Sequence, residues 1–181
     1  MELVIGLVGR IASGKGFVSD YLAGKHGARV YRFSDVLRDV LELLNQPNTR
    51  ENLQALGSLI REAFGDDVLA DALKRKIVSD DAGVVVVDGI RYWNELEMVR
   101  GFKPNLVLAV QAPLEVRYGR VLSRATRGEG RLSLDDFRNA DSMATERFVD
   151  EICGKADVLL DNGGSRESLV DALEKALEGR L

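Results

Sequence analysis

A mostly aliphatic run, Leu3-Val4-Ile5-Gly6-Leu7-Val8, leads directly into Gly9-Arg10-Ile11-Ala12-Ser13-Gly14-Lys15-Gly16 and then into a helical pattern beginning at Phe17. Strand, glycine loop and helix in this order restrict the chain more than any other feature. Glycines let the backbone fold around an anion and leave N–H groups pointing inward. The helix start adds a partial positive charge, and Lys15 can reach the outer oxygens of a bound phosphate. The bland alternative is a glycine turn before a core helix, but the flanking strand and helix favour an anion loop. The spacing of Gly6, Gly9 and Gly14 does not give G-x-G-x-x-G, which sets aside a dinucleotide fingerprint.

Four more apolar runs follow, at 28–33, 84–88, 105–110 and 156–160. Most do not alternate polar with apolar, which predicts strands covered on both faces, as in a parallel sheet. Helical patterns separate them. Ser34 is expected to cap a helix with Val36, Leu37, Val40, Leu41 and Leu44 on one face. Asn48 or Thr49 opens another, with Leu53, Leu56, Ile60 and Phe64. Ser133 and Asp136 form a capping-box pattern, and Ser165 precedes Leu169, Leu173 and Leu177 at helical spacing. Alternating strands and helices predict a three-layer α/β fold around a five-stranded parallel sheet, one domain over 1–181. Two stretches exceed one crossover. Residues 34–80 hold about three helices, and 119–155 hold a glycine-broken, arginine-rich stretch followed by a long helix. Such insertions suit substrate lobes and lids.

The acids and arginines fall at predicted strand ends. Asp35 and Arg38 sit one helical turn apart after the second run, where an open sheet binds ligands. A carboxylate there can take a proton or orient a metal-bound water, and an arginine can grip a phosphate through two parallel hydrogen bonds. Helix capping and a solvated arginine are the plain alternative. The third run ends in Asp88, then Gly89 and Arg91, which places an acid and a base at one strand end. Arg117, Arg120, Arg124, Arg127 and Arg131 are spaced three, four, three and four, a single stripe if helical. Like charges at that spacing weaken a helix, so the stripe makes more sense as a lid that anions neutralise. A solvated face paired with Glu115 and Glu129 is the alternative. Arg61 is a weaker candidate, and Asn162-Gly163-Gly164 is a turn at a strand end.

Composition narrows the class. The chain has 181 residues, 45% hydrophobic and 30% charged, with a formal net charge of −4. The acidic balance argues against broad nucleic-acid binding. One cysteine (Cys153) excludes an internal disulfide, and one histidine (His26) excludes a multi-histidine metal site. No stretch approaches the roughly 20 apolar residues that span a bilayer, so no membrane partner and a cytoplasmic location are expected. A monomer or a homodimer fits.

Together, the loop "GRIASGKG", "SDVLR", "VVVVDGIR" and the arginine stretch resemble the P-loop nucleotide kinase superfamily across nearly the whole chain. Adenylate kinase, dephospho-CoA kinase and the phage deoxynucleoside monophosphate kinases are its relevant members. "SDVLR" is similar to the acceptor-phosphate motif of adenylate kinases, and "DGIR" to a shortened Asp-Gly-x-Pro-Arg. The resemblance implies an ATP-dependent, Mg²⁺-using kinase for a small nucleotide acceptor. A nucleoside monophosphate is the first expectation and dephospho-CoA the alternative. It implies that Gly9, Arg10, Ile11, Ala12, Ser13, Gly14, Lys15, Gly16, Phe17, Arg120, Arg124 and Asn162 bind the nucleotide. Asp35, Arg38, Arg61, Arg91, Arg127 and Arg131 would bind the acceptor. Lys15, Asp35, Arg91 and Arg124 would act in catalysis, and Asp35 and Asp88 would hold the metal. Gly16 departs from the serine or threonine hydroxyl usual at that position, so phosphate oxygens, waters and carboxylates would carry the metal. An ATP-gated regulatory module and a nucleic-acid end-kinase are the competing classes.

Overall fold

A computed structural model describes residues 1–125, 133–143 and 146–181, without the side chains of Arg50, Arg124 and Ala125. The apolar runs become β1 (Leu3–Val8), β2 (Arg29–Arg32), β3 (Val84–Ile90), β4 (Asn105–Gln111) and β5 (Val158–Asp161). They form one parallel sheet in the order β2-β3-β1-β4-β5. All five C-terminal ends therefore open on one edge.

The sheet is buried on both faces because successive side chains of a strand point oppositely. Leu3, Ile5 and Leu7 of β1 join a core with Val18 and Leu22 of α1 (Lys15–His26) and Leu169, Leu173 and Leu177 of α9 (Arg166–Leu177). Val4 and Val8 enter the opposite core. That core is closed by α5 (Trp93–Arg100), α8 (Val149–Cys153) and the helical lobe of α2 (Phe33–Leu43), α3 (Arg50–Phe64) and α4 (Val68–Val78). The result is the three-layer α/β architecture expected, with three helices between β2 and β3.

Local signals fared unevenly. Thr49 and Ser165 cap α3 and α9 as read, and Ser133 with Asp136 forms a capping box on α7 (Leu134–Asp141). Ser34 does not cap α2. The helix already starts at Phe33, and the Ser34 hydroxyl instead accepts from Arg38. Leu44 and Phe64, expected on packed faces, are exposed, Phe64 by 76%, because each falls at the end of its helix. The single long helix expected late in the second insertion is two short ones, α7 and α8. Asp141, at the end of α7, makes a bidentate pair with the buried Arg117. The arginine stripe begins on α6 (Leu114–Ala125).

Candidate functional site

The loop between β1 and α1 owes its shape to two glycines and three outside clamps. Gly9 has φ +154°, and a Cβ there would lie 2.2 Å from the carbonyl oxygen of Val110. Gly14 has φ +110°, and a Cβ would lie 1.9 Å from the amide of Asn162. No other residue fits either place. Asn162 Nδ2 donates to the Ser13 carbonyl at 2.7 Å. Arg120 donates to the carbonyls of Ala12, Ser13 and Asn162, at 3.3, 3.1 and 2.7 Å. Arg117 donates to the Ile11 carbonyl at 3.1 Å and makes a bidentate pair with Asp141 at 2.6 and 2.8 Å. Arg10 turns away from the loop to grip both oxygens of Asp150 at 2.9 and 2.6 Å.

The side chains of Arg117, Arg120 and Asn162 hold the carbonyls of Ile11, Ala12 and Ser13, and that of Arg10 binds Asp150 and the Asp141 carbonyl. Carbonyls held outward leave amides free to face an anion. The ring of Phe17 packs towards Tyr21 and beneath Arg166, so its backbone is what remains at the loop. Arg117, the first of the stripe, is buried rather than solvated. The side chain of Arg124, and Arg127 and Arg131 entirely, lie outside the described residues. Behind the loop, Arg10, Ser13, Arg117, Asp150, Cys153 and Asp161 line a cavity of about 440 Å³.

Lys15 is part-buried. Its Nζ donates to the carbonyls of Gly9 at 2.5 Å and Arg10 at 3.1 Å. Desolvation pulls it below the usual lysine value. Asp88 and Glu146 push it back up and Arg91 pulls it further down. Those three side chains are its charged neighbours at the sheet edge. Asp88 stands opposite Leu7 of β1 and Arg32 of β2, and Arg32 Nε lies 3.1 Å from its Oδ2. The register shift between Leu7 and Val8, at Gly89, lets β3 turn its end towards the loop.

Arg91 follows β3, with Nε 3.2 Å from Glu146 Oε1. Glu146 was not singled out in the sequence, because an acid in an irregular stretch carries no periodic signal. The same holds for Glu95, which is fully buried at the start of α5. One Glu95 oxygen accepts the backbone N–H groups of Arg91 and Tyr92 at 2.8 and 3.2 Å. The other faces Arg61 at 3.5 Å. Burial raises its pKa to about 7 against the pull of those donors and of Arg61. Glu95 thus fixes the Arg91 turn, and the spacing Tyr92 to Glu95 was the available capping signal. Arg61 also lies 4.5 Å from the centre of the Tyr92 ring.

Asp35 and Arg38 pair at 2.6 Å on the first turns of α2. They sit at the same sheet edge as the loop but in the helical lobe. Among the described residues, no cluster of three or more His, Cys, Asp or Glu side chains is arranged to hold a metal. Mg²⁺ in phosphate sites takes one or two carboxylates, with phosphate oxygens and waters completing the octahedron, so Asp88 beside Lys15 fits it without such a cluster. No helix among the described residues is long and apolar enough to cross a membrane.

Comparison with known proteins agrees with this geometry. The profile of the AAA domain family matches residues 8–138. A UPF0200 protein of Hyperthermus butylicus is 31% identical over 99% of this chain and 95% of its own length. Shikimate kinase from Acinetobacter baumannii has a TM-score of 0.59 at 16% identity, over 98% of this chain and 94% of its own. A gluconokinase from Sinorhizobium meliloti has a TM-score of 0.54 at 15% identity, over 98% and 90%. The fold is the α/β fold of the P-loop kinases.

Proposed function

The chain belongs to the AAA domain family and to the UPF0200 proteins, and we propose that it is an ATP-dependent phosphotransferase for a small, nucleotide-type acceptor. One observation carries this reading. Lys15 at the start of α1 and Asp88 and Arg91 at the end of β3 stand at one sheet edge, beside a glycine loop whose Ile11, Ala12 and Ser13 carbonyls are held by Arg117, Arg120 and Asn162. Phosphoryl transfer asks mostly for positioning and charge stabilisation, and these are the groups that supply both.

In this reading, backbone N–H groups of the loop hold the ATP phosphates. Lys15 exchanges two carbonyl partners for phosphate oxygens, which makes stronger, charge-assisted bonds. Mg²⁺, when bound, neutralises the phosphates, and Asp88 with Asp35 are the residues to hold it or its waters. Gly16 contributes no hydroxyl to that task. Arg38, Arg61 and Arg91 hold the acceptor beneath the helical lobe, and Arg124, Arg127 and Arg131 close over the phosphates. Closure excludes water, which otherwise competes as acceptor. Nucleoside monophosphates and dephospho-CoA are the acceptors in view. A cytoplasmic monomer or homodimer goes with this role.

The test is to incubate the protein with Mg-ATP and, separately, each ribo- and deoxynucleoside monophosphate and dephospho-CoA, resolving products by mass. The expected result is one acceptor gaining a phosphoryl group as ADP forms. ATP binding with no phosphorylated acceptor would overturn the reading in favour of a nucleotide-gated regulatory module.

A further inference from the structure

Glu146 is 2% exposed, and neither of its carboxylate oxygens accepts a hydrogen bond among the described residues. The Arg91 contact at 3.2 Å is an ion pair without hydrogen-bond alignment. Leaving buried carboxylate oxygens without donors costs free energy, so the placement makes sense if a donor arrives with a ligand. Four charged groups face it: Arg91 after β3, Lys15 at the start of α1, Arg10 in the loop and Asp141 at the end of α7. Of these, Lys15 is the group that meets the terminal phosphate of ATP. Glu146 therefore stands at the reacting end of the site.

The chemistry of that end discriminates between acceptors. A monophosphate presents oxygens that only accept hydrogen bonds and carry charge of the same sign as a carboxylate. Against a buried carboxylate they would be repelled. A hydroxyl donates a hydrogen bond, and two carboxylate oxygens suit a hydroxyl and its neighbour. Asp35 is less suited to receive the proton. Its carboxylate is taken by Arg38 at 2.6 Å and is 39% exposed to competing water. Burial raises the proton affinity of Glu146, while Arg91 and Lys15 favour its ionised form.

Resting on the phosphotransfer reading, we infer that Glu146 binds the acceptor's nucleophilic hydroxyl and accepts its proton, so that the acceptor reacts through an alcohol of a ribose or polyol. As the hydroxyl oxygen bonds to the γ-phosphorus of ATP, its proton passes to Glu146. The bond from γ-phosphorus to the bridging oxygen breaks, and its electron pair leaves with ADP. The products are a phosphomonoester, ADP and a proton later released to solvent.

The experiment uses the full chain with Mg-ATP in two arms. One holds hydroxyl acceptors (dephospho-CoA, the ribonucleosides, shikimate and gluconate), the other the nucleoside monophosphates. Phosphorus NMR separates monoester from anhydride products. The expected result is monoester in the first arm. Glu146→Gln should lower kcat about 100-fold, the size of a positioned base. The ATP Kd should not rise, since the change removes a like charge from near the terminal phosphate, and the acid limb of the pH profile should be lost. Glu146→Gln should melt at or above the wild-type temperature, since it removes an unsatisfied buried charge, and Glu146→Asp should retain part of the rate. Anhydride as the main product, or undiminished monoester formation by Glu146→Gln, would overturn the inference and leave the kinase reading standing. Transfer in neither arm with ATP bound would overturn both.

Discussion

Two buried glutamates of the site show how burial acquires opposite meanings. Glu95 accepts two backbone N–H groups and faces Arg61, so its burial fixes a turn. Glu146 accepts no hydrogen bond among the described residues, so its burial leaves acceptor capacity unmet. Gly16 is the third informative residue. Nothing lies within 4 Å of where its Cβ would sit, so the missing side chain is a chemical choice and not a steric one. Gly16→Ser should be tolerated and should raise stability by about 0.5 kcal/mol, because glycine near a helix start loses more backbone entropy than serine. For a chain of this size that is about 1–2 °C in Tm. The same change restores a hydroxyl beside the phosphates, so ATP turnover should saturate at lower Mg²⁺. Thermal melts and a Mg²⁺ titration of the rate check both halves. An unchanged Mg²⁺ dependence would show that position 16 does not face the metal.

At the level of elements, α6 acts as a bracket for the loop. Its first arginines hold loop carbonyls, and α7 supplies the buried partner Asp141. A buried pair adds little net stability over an apolar pair, yet breaking it leaves an uncompensated charge. Arg117→Met alone should therefore cost about 3 kcal/mol, while Arg117→Met with Asp141→Leu should recover a large part of that. Denaturant unfolding of the two single variants and the double variant gives the coupling. Additive losses would mean that Arg117 acts through packing on Phe137, 5.6 Å away, and not through its charge. ATP affinity should fall in the single variant, because the Ile11 carbonyl would be free to turn into the loop.

Across the whole molecule, the sheet joins two layers, and the layer carrying α1 and α9 is tied by a surface cluster. Glu174 of α9 lies 2.9 Å from His26 and 2.7 Å from the Tyr21 hydroxyl, with Lys25 at 3.2 Å. His26 first, then Tyr21, hold its pKa down to about 2, with Lys25 adding to them against desolvation. A carboxylate depressed in the folded state stabilises above its unfolded value near 4.5. That contribution is lost as pH falls towards 2. Acid unfolding should therefore steepen between about pH 4.5 and 2, and Glu174→Gln should flatten that limb. A set of urea midpoints across pH for both proteins decides it. Since Glu174 meets α1 at Tyr21, Lys25 and His26, towards the end of the helix away from the loop, ATP affinity at neutral pH should be unaffected.

Periodicity and turn chemistry made much of this protein legible before folding. Five apolar runs became five strands of one parallel sheet, and Thr49, Ser133 and Ser165 capped helices, because those signals act over a few residues. The glycine loop was legible for the same reason: strand, glycines and helix are contiguous. The partners were not. Arg120 and Asn162 are 42 residues apart, and Asn162 meets Ser13 from 149 residues away. Nothing local says that an arginine in a stripe will bind the carbonyls of a distant loop. Nor does anything local say that Glu146, in a stretch without periodicity, will be buried beside Lys15. The sequence by itself determined the strands, the parallel sheet and the loop that can hold a phosphate, since backbone geometry and hydrophobic spacing are local properties. Only the tertiary structure decided which charges face that loop, which ones brace it and which acid stays unsatisfied, because burial and charge pairing depend on distances set by the packing of the whole chain.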